Sequence, residues 1–225
     1  MIENSLEVVS LFNNKNIVWG TNCYECHNEV FLLQDKYHPW NKSDVNLEVI
    51  CQNCKTPIII NQDMASEFYT NKILDLFKDI SGSIIDVGCG GGLLSNYFHS
   101  KNNLVSAIDI DKECEKELVD GINFILDSAE NIKNHFPNNA VDYIIGRDIL
   151  MFINNIEEFI LNCYQIAKKG IIFVGWYDLD HDKMVNKTNP FDFFKLIPKD
   201  SFIIEELDWY KNGYVISITR KYQLQ

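Results

Sequence analysis

Apolar and polar positions change rhythm about a quarter of the way along the chain. Residues 1–62 are mostly polar, broken by short β-like runs such as EVFLL and PIII. Asp63 then reads as the N-cap of an amphipathic helix, MASEFYTNKILDLFKDI, in which Phe68, Ile73, Leu76, Phe77 and Ile80 recur near the helical period. The change places a domain boundary at about residue 62, with a small module over 1–62 and a larger domain over 63–225. Beyond it, strand and helix signals alternate. SIIDV (83–87) reads as a buried strand, followed by a glycine turn and a helix running to about His99. LVSAID (104–109) is a second strand, followed by a charged helix, KECEKELV; INFIL (122–126) is a third and VDYIIG (141–146) a fourth. The helix IEEFILNCYQIAKK leads into a fifth, GIIFVGW (170–176). Such alternation requires parallel strands with helices on both faces. SFIIEEL (201–207) and YVISITRKY (214–222) are joined by a connection too short for a helix, so they form a hairpin and the last strand runs antiparallel. The expected fold is α/β, a seven-stranded, mostly parallel sheet.

Chemistry concentrates in IIDVGCGGGLLS. Gly88, Gly90, Gly91 and Gly92 follow a buried strand, where they let the backbone turn sharply and approach a ligand closely. The helix behind them points its N–H groups at that turn. The second strand ends at Asp109, about 20 residues on, where a carboxylate accepts hydrogen bonds from ribose hydroxyls. Glycine turn plus spaced acid means a ribose-bearing cofactor. A dinucleotide fingerprint would need its third glycine at Leu93, and Asp86 would stand close to a pyrophosphate. A cofactor carrying an ammonium group suits Asp86 better.

DVGCGGG with AIDID downstream resembles the class I S-adenosylmethionine-dependent methyltransferases, and VGCGGGLLS is most similar to their ubiquinone-pathway O-methyltransferase branch. The likeness covers residues 64–222, and it implies a Rossmann-like methyltransferase sheet with its last strand reversed. It also implies that Asp86, Gly88, Cys89 and Gly90 line the methionine portion, that Asp109 holds the ribose, and that Ile110 packs on the adenine. It puts Asp127 at the adenine amine with Ser128 and Ala129 beside it, and Arg147 at the sulfonium end through its backbone. Asp127 reads equally as a helix N-cap. One departure stands out. Many small-molecule members carry a histidine soon after the fourth strand, where this chain has Phe152 in RDILMFI. That argues against carrying over their acceptor deprotonation, and the quinone-precursor assignment with it.

CYEC (23–26) and CQNC (51–54) supply Cys23, Cys26, Cys51 and Cys54 from two knuckles. Two such turns complete tetrahedral Zn(II), and a four-thiolate site is coordinatively closed, hence structural. A haem c reading of CYECH would need export and leaves CQNC unexplained, so His27 is a bystander. The resulting zinc ribbon serves as an acceptor-recognition module or a lid, with Tyr37 and Trp40 of KYHPW in the loop between its knuckles.

Composition narrows the partners. A net charge of −12 and a pI of about 4.8 argue against a stable grip on nucleic acid. No apolar run approaches a membrane helix, and the first residues lack the features of a signal peptide. With seven cysteines and no export signal, the expected compartment is the reducing cytoplasm.

Methyl transfer to a small-molecule acceptor (a metabolite, sugar or natural-product intermediate) is the first functional reading. An RNA or protein methyltransferase and a non-catalytic cofactor-binding scaffold are its rivals. A hydroxyl acceptor needs a base from the loops at the carboxyl ends of the strands. Asp148 follows the fourth strand, while Tyr177, Asp178, Asp180 and His181 follow the fifth. His181 is the preferred base, because a histidine titrates near neutrality. The aromatic cluster Phe191, Phe193 and Phe194 is either an acceptor wall or the buried face of a short helix.

Overall fold

A computed structural model describes residues 17–34, 46–176, 202–207, 209 and 213–219. Its contacts divide the chain into two compact units, Met1–Lys78 with Leu207–Gly213 and Asp79–Glu206 with Tyr214–Gln225.

The first unit is built from two hairpins of one design. β1 (Ile17–Asn22) pairs antiparallel with β2 (Glu29–Gln34), and β3 (Leu47–Ile50) with β4 (Pro57–Ile60). Each turn carries one CxxC pair. Helix α1 (Gln62–Asp75) follows, and its Ala65 joins Cys23, Val30, Cys51, Ile58 and Ile60 in one small core. Asn61, not Asp63, caps this helix, its side chain accepting from Met64 N at 2.9 Å. Asn and Asp cap equally well, so composition alone left the frame open by two residues.

The second unit holds the seven-stranded sheet. Its strands are β5 (Ser83–Val87), β6 (Leu104–Asp109), β7 (Asn123–Leu126), β8 (Val141–Arg147), β9 (Ala167–Trp176), β10 (Phe202–Leu207) and β11 (Gly213–Thr219). They lie in the order β10-β11-β9-β8-β5-β6-β7. β5 pairs parallel with β6 and β8, β6 with β7, and β8 with β9; the last strands are antiparallel. The chain crosses from β6 and β7 on one side of β5 to β8 on the other, which opens a crevice at the carboxyl ends of β5, β6 and β8. Ile84, Ile85, Val87, Ile108, Ile144, Ile145 and Phe173 are buried in the sheet. At about 2 kcal/mol for each fully buried apolar side chain, they anchor the strand ends that carry the site. Helix α2 (Leu93–Ser100) buries Leu94, Ser95 and Phe98; a short α3 (Ile132–His135) buries Ile132; α4 (Ile156–Ile166) buries Phe159, Ile160 and Cys163.

Two elements differ from the sequence reading. KECEKE forms a 3-10 helix, Lys112–Glu117, with no buried residue, because an all-polar segment has no apolar stripe to hold an α-helix on the sheet. Ala167, Lys168 and Lys169 belong to β9 and not to the preceding helix; pairing of Ala167 with Val141 overrides their helix propensity. Among the described residues, no helix is long and apolar enough to cross a membrane.

Candidate functional site

The turn after β5 is shaped by its glycines. Gly88, Gly90 and Gly92 have φ of 69°, 48° and 73°, the left-handed region that favours glycine. A Cβ on Gly88 would stand 2.7 Å from Ile149 Cδ1, whereas at Gly90 and Gly91 it would meet nothing within 4 Å. These two therefore leave open space beside the backbone. The loop is tied down from β6: Gly88 N donates to Ile108 O at 2.8 Å, and Gly90 N to Asp109 Oδ2 at 2.9 Å. The other Asp109 oxygen accepts from Asp111 N at 3.0 Å.

A cavity of about 530 Å³ opens over this turn. Its wall includes Asp86, Gly88, Cys89, Gly90, Asp109, Ile110, Ser128, Ala129 and Arg147, which are nine of the ten residues the sequence assigned to the cofactor. Leu93, Leu94, Ile149, Phe152 and Ile153 add an apolar lining. Asp86 is buried, and Ser95 Oγ donates to its Oδ2 at 2.6 Å. Burial pushes its carboxyl up to about 6, against the Ser95 donors and the Arg147 charge. Burial likewise raises the Cys89 thiol, which keeps its proton.

Asp127 is the tenth residue and stands just outside the wall. Its Oδ1 accepts from Ser128 N at 2.7 Å and Asn131 Nδ2 at 2.8 Å; its Oδ2 is 2.7 Å from His135 Nε2. The Asn131 and His135 contacts lead in holding this carboxyl below its ordinary value. Ser128, rather than Asp127, caps the short 3-10 helix Ala129–Asn131.

Asp148 lines the cavity with φ of 56°, uncommon for a residue with a side chain. Its N–H donates to Val174 O at 2.8 Å, and its carboxylate lies 3.4 Å from Arg147 Nε. His181, Tyr177, Asp178, Asp180, the Phe191 cluster, Tyr37 and Trp40 lie outside the described residues.

In the first unit the two knuckles match bond for bond. His27 N donates to Cys23 O and Lys55 N to Cys51 O, at 2.8 and 2.9 Å. Cys23 N donates to Asn28 O and Cys51 N to Thr56 O, both at 2.9 Å. His27 and Lys55, each following its second cysteine, have φ of 59° and 64°. The four sulfurs lie within 4.8 Å of one another, with Cys23–Cys54 at 3.5 Å and Cys26–Cys51 at 3.6 Å. Tetrahedral Zn–S bonds of about 2.3 Å imply sulfurs about 3.8 Å apart, so this donor set fits Zn(II). Donors from Thr56 draw the Cys54 thiol down to about 6, while burial pushes Cys23 up to about 11. His27 is exposed and outside the cluster.

A family model described as a methyltransferase domain matches residues 85–174, the span from the glycine turn to β9. The match supports a class I S-adenosylmethionine-dependent methyltransferase domain over this span. A ubiquinone biosynthesis O-methyltransferase of Rickettsia canadensis is 30% identical over 147 residues, covering 61% of this chain and 58% of the relative. The chain thus spans less than two thirds of the length of the curated relatives it matches first. The methyltransferase fold recurs in a SAM-dependent methyltransferase from Archaeoglobus fulgidus, with a TM-score of 0.59 at 12% identity over 68% of this chain and 94% of that one. It recurs also in magnesium protoporphyrin IX methyltransferase from Synechocystis PCC 6803, with a TM-score of 0.52 at 16% identity over 69% and 80%.

In this methyltransferase domain Ser95 escaped the sequence reading. Its signal was a small polar residue at the start of an otherwise apolar helix face, LLSNYF, one turn above the glycines. Ile149 and Ile153 were missed because their pattern matches that of any core isoleucine.

Proposed function

We propose that this chain binds S-adenosylmethionine in the β5–β6–β8 crevice and transfers its methyl group to a small-molecule acceptor. We propose also that its four N-terminal cysteines hold one structural Zn(II). The observation that carries the first reading is the Gly90–Asp109 bond. It fixes a bare backbone edge and the Asp109 carboxylate side by side in one cavity wall, the pair of features that a ribose-bearing cofactor requires. Asp86 fits an ammonium group: a buried carboxylate held by Ser95 gains most from a cationic partner. Asp109 would take the ribose, Ile110 and Ala129 the base, and Arg147 would border the sulfonium.

When bound, the cofactor supplies an electrophilic methyl group on a neutral leaving group. The protein's part is then alignment and exclusion of water. Ile149, Phe152 and Ile153 give the cavity an apolar wall, which would face the acceptor. Phe152 holds no proton, so the base for a hydroxyl acceptor is Asp148, already at the wall, or His181. The curated relatives, named as O-methyltransferases, support an oxygen acceptor. A net charge of −12 disfavours RNA. Seven cysteines, four of them in two CxxC pairs, suit a reducing, cytoplasmic setting.

Calorimetry with S-adenosylmethionine and with NAD tests the cofactor. Binding of the first and silence with the second are expected; tight NAD binding with no response to S-adenosylmethionine would overturn the reading. Release of S-adenosylhomocysteine in the presence of small-molecule acceptor libraries tests the transfer.

A further inference from the structure

Asp127 is held by more partners than a base contact requires, and two of them, Asn131 and His135, come from a segment that the cofactor reading leaves unused. A carboxylate offers about four acceptor positions. Ser128 N and Asn131 Nδ2 take two on Oδ1, and His135 Nε2 takes one on Oδ2. One acceptor position is left, on the oxygen that His135 holds. Asp127 N in turn donates to Asp109 O at 3.1 Å, which fixes this carboxylate relative to the strand end that carries Asp109. Ser128 and Ala129, the next two residues, form the cavity wall.

We propose that His135 is a positioning residue for the cofactor's base: it locks the rotation of the Asp127 carboxylate so that Oδ2 presents its remaining acceptor position to an exocyclic amine at the cavity rim. The inference rests on the proposed binding of S-adenosylmethionine, with its adenine beside Ser128 and Ala129. An amine is favoured because the carboxylate is charged and can only accept. The same contacts that depress the Asp127 carboxyl keep it in that acceptor-only form. A carbonyl oxygen in the amine's place would face an acceptor and be rejected. Lys133, the other basic residue of α3, is turned elsewhere, toward Asn138 and Gln165. His135 is therefore the basic residue of that short helix that reaches Asp127. Its side chain is 31% exposed and that of Asp127 27% exposed, so solvent moderates the effect.

The test titrates S-adenosylhomocysteine and S-inosylhomocysteine, which has a carbonyl where adenine has its amine, into wild type, His135→Ala and His135→Gln by calorimetry. His135→Ala should weaken S-adenosylhomocysteine about three- to tenfold and leave the inosine analogue unchanged, so the preference between them shrinks. His135→Gln, whose amide N–H can occupy roughly the Nε2 position, should restore the preference. A purely structural role would shift both ligands together. An unchanged preference in His135→Ala, tighter S-adenosylhomocysteine binding by it, or no rescue by His135→Gln with wild-type melting would overturn the inference while leaving the cofactor reading intact. No binding of S-adenosylhomocysteine by the wild type would overturn both.

Discussion

Replacing Asp109 by Asn tests the electrostatics of the cavity wall with almost no change in shape. The carboxylate receives Gly90 N on one oxygen and Asp111 N on the other. An amide can accept on its oxygen alone, so one of these N–H groups would face an NH₂ group. If ribose hydroxyls also donate to this carboxylate, two charge-assisted bonds of about 1.5–3 kcal/mol each are replaced by one neutral bond of about 1 kcal/mol. The net loss is roughly 2–5 kcal/mol, or about 30-fold to several thousand-fold in Kd for S-adenosylhomocysteine. Calorimetry at neutral pH reads the affinity, and a melting curve in the same buffer reports whether the domain stays folded. Loosening of the glycine loop alone should lower Tm by only a few degrees, about 1 kcal/mol. A folded Asp109→Asn protein that binds within about threefold of wild type would refute the reasoning, since losses of that size cannot hide at the contact that organises the site.

Other outcomes follow from the same geometry. Because burial raises the Asp86 carboxyl to about 6, it is protonated below that pH and cannot meet an ammonium group; Kd should be flat above pH 7 and about tenfold weaker at pH 5, and equal affinity at the two would exclude Asp86 as the partner. The linkage sign is opposite for the empty protein: a carboxyl raised in the folded state loses stability as pH rises from its unfolded value through about 6. Asp86→Asn should therefore raise Tm at neutral pH while abolishing cofactor binding; a lower Tm would show the charge to be stabilising. Gly88→Ala forces a Cβ to 2.7 Å from Ile149 Cδ1 at a φ of 69° and should cost about 1–3 kcal/mol in chemical denaturation. Elemental analysis should find one zinc per chain, lost in Cys51→Ser and kept in Cys163→Ser, whose sulfur is buried away from the cluster.

The strands and the glycine turn were legible in the sequence because each has a strong local signature: β-branched runs for β5, β6, β8 and β9, and consecutive glycines followed by a spaced acid. The four cysteines were legible for the same reason, since CYEC and CQNC each specify a complete knuckle. What escaped depends on partners distant in sequence or on the absence of any stripe. Ser95 matters because the fold brings it to Asp86, and nothing in LLSNYF announces that contact. KECEKE reads as helix by propensity, yet it buries nothing and tightens into a 3-10 turn. The start of β9 was hidden because AKK is a good helical ending until Val141 offers Ala167 a strand partner. The Asp127 network required α3 to fold back eight residues along the chain, a geometry that no periodicity reveals.

A crystal structure of the full chain grown with S-adenosylhomocysteine puts the central claim to its most direct test. Both ribose hydroxyls should lie within hydrogen-bonding distance of Asp109, with the amino-acid tail along the Gly88–Gly90 backbone. A nucleoside bound anywhere else, or an Asp109 side chain rotated away from the sugar, would contradict the account.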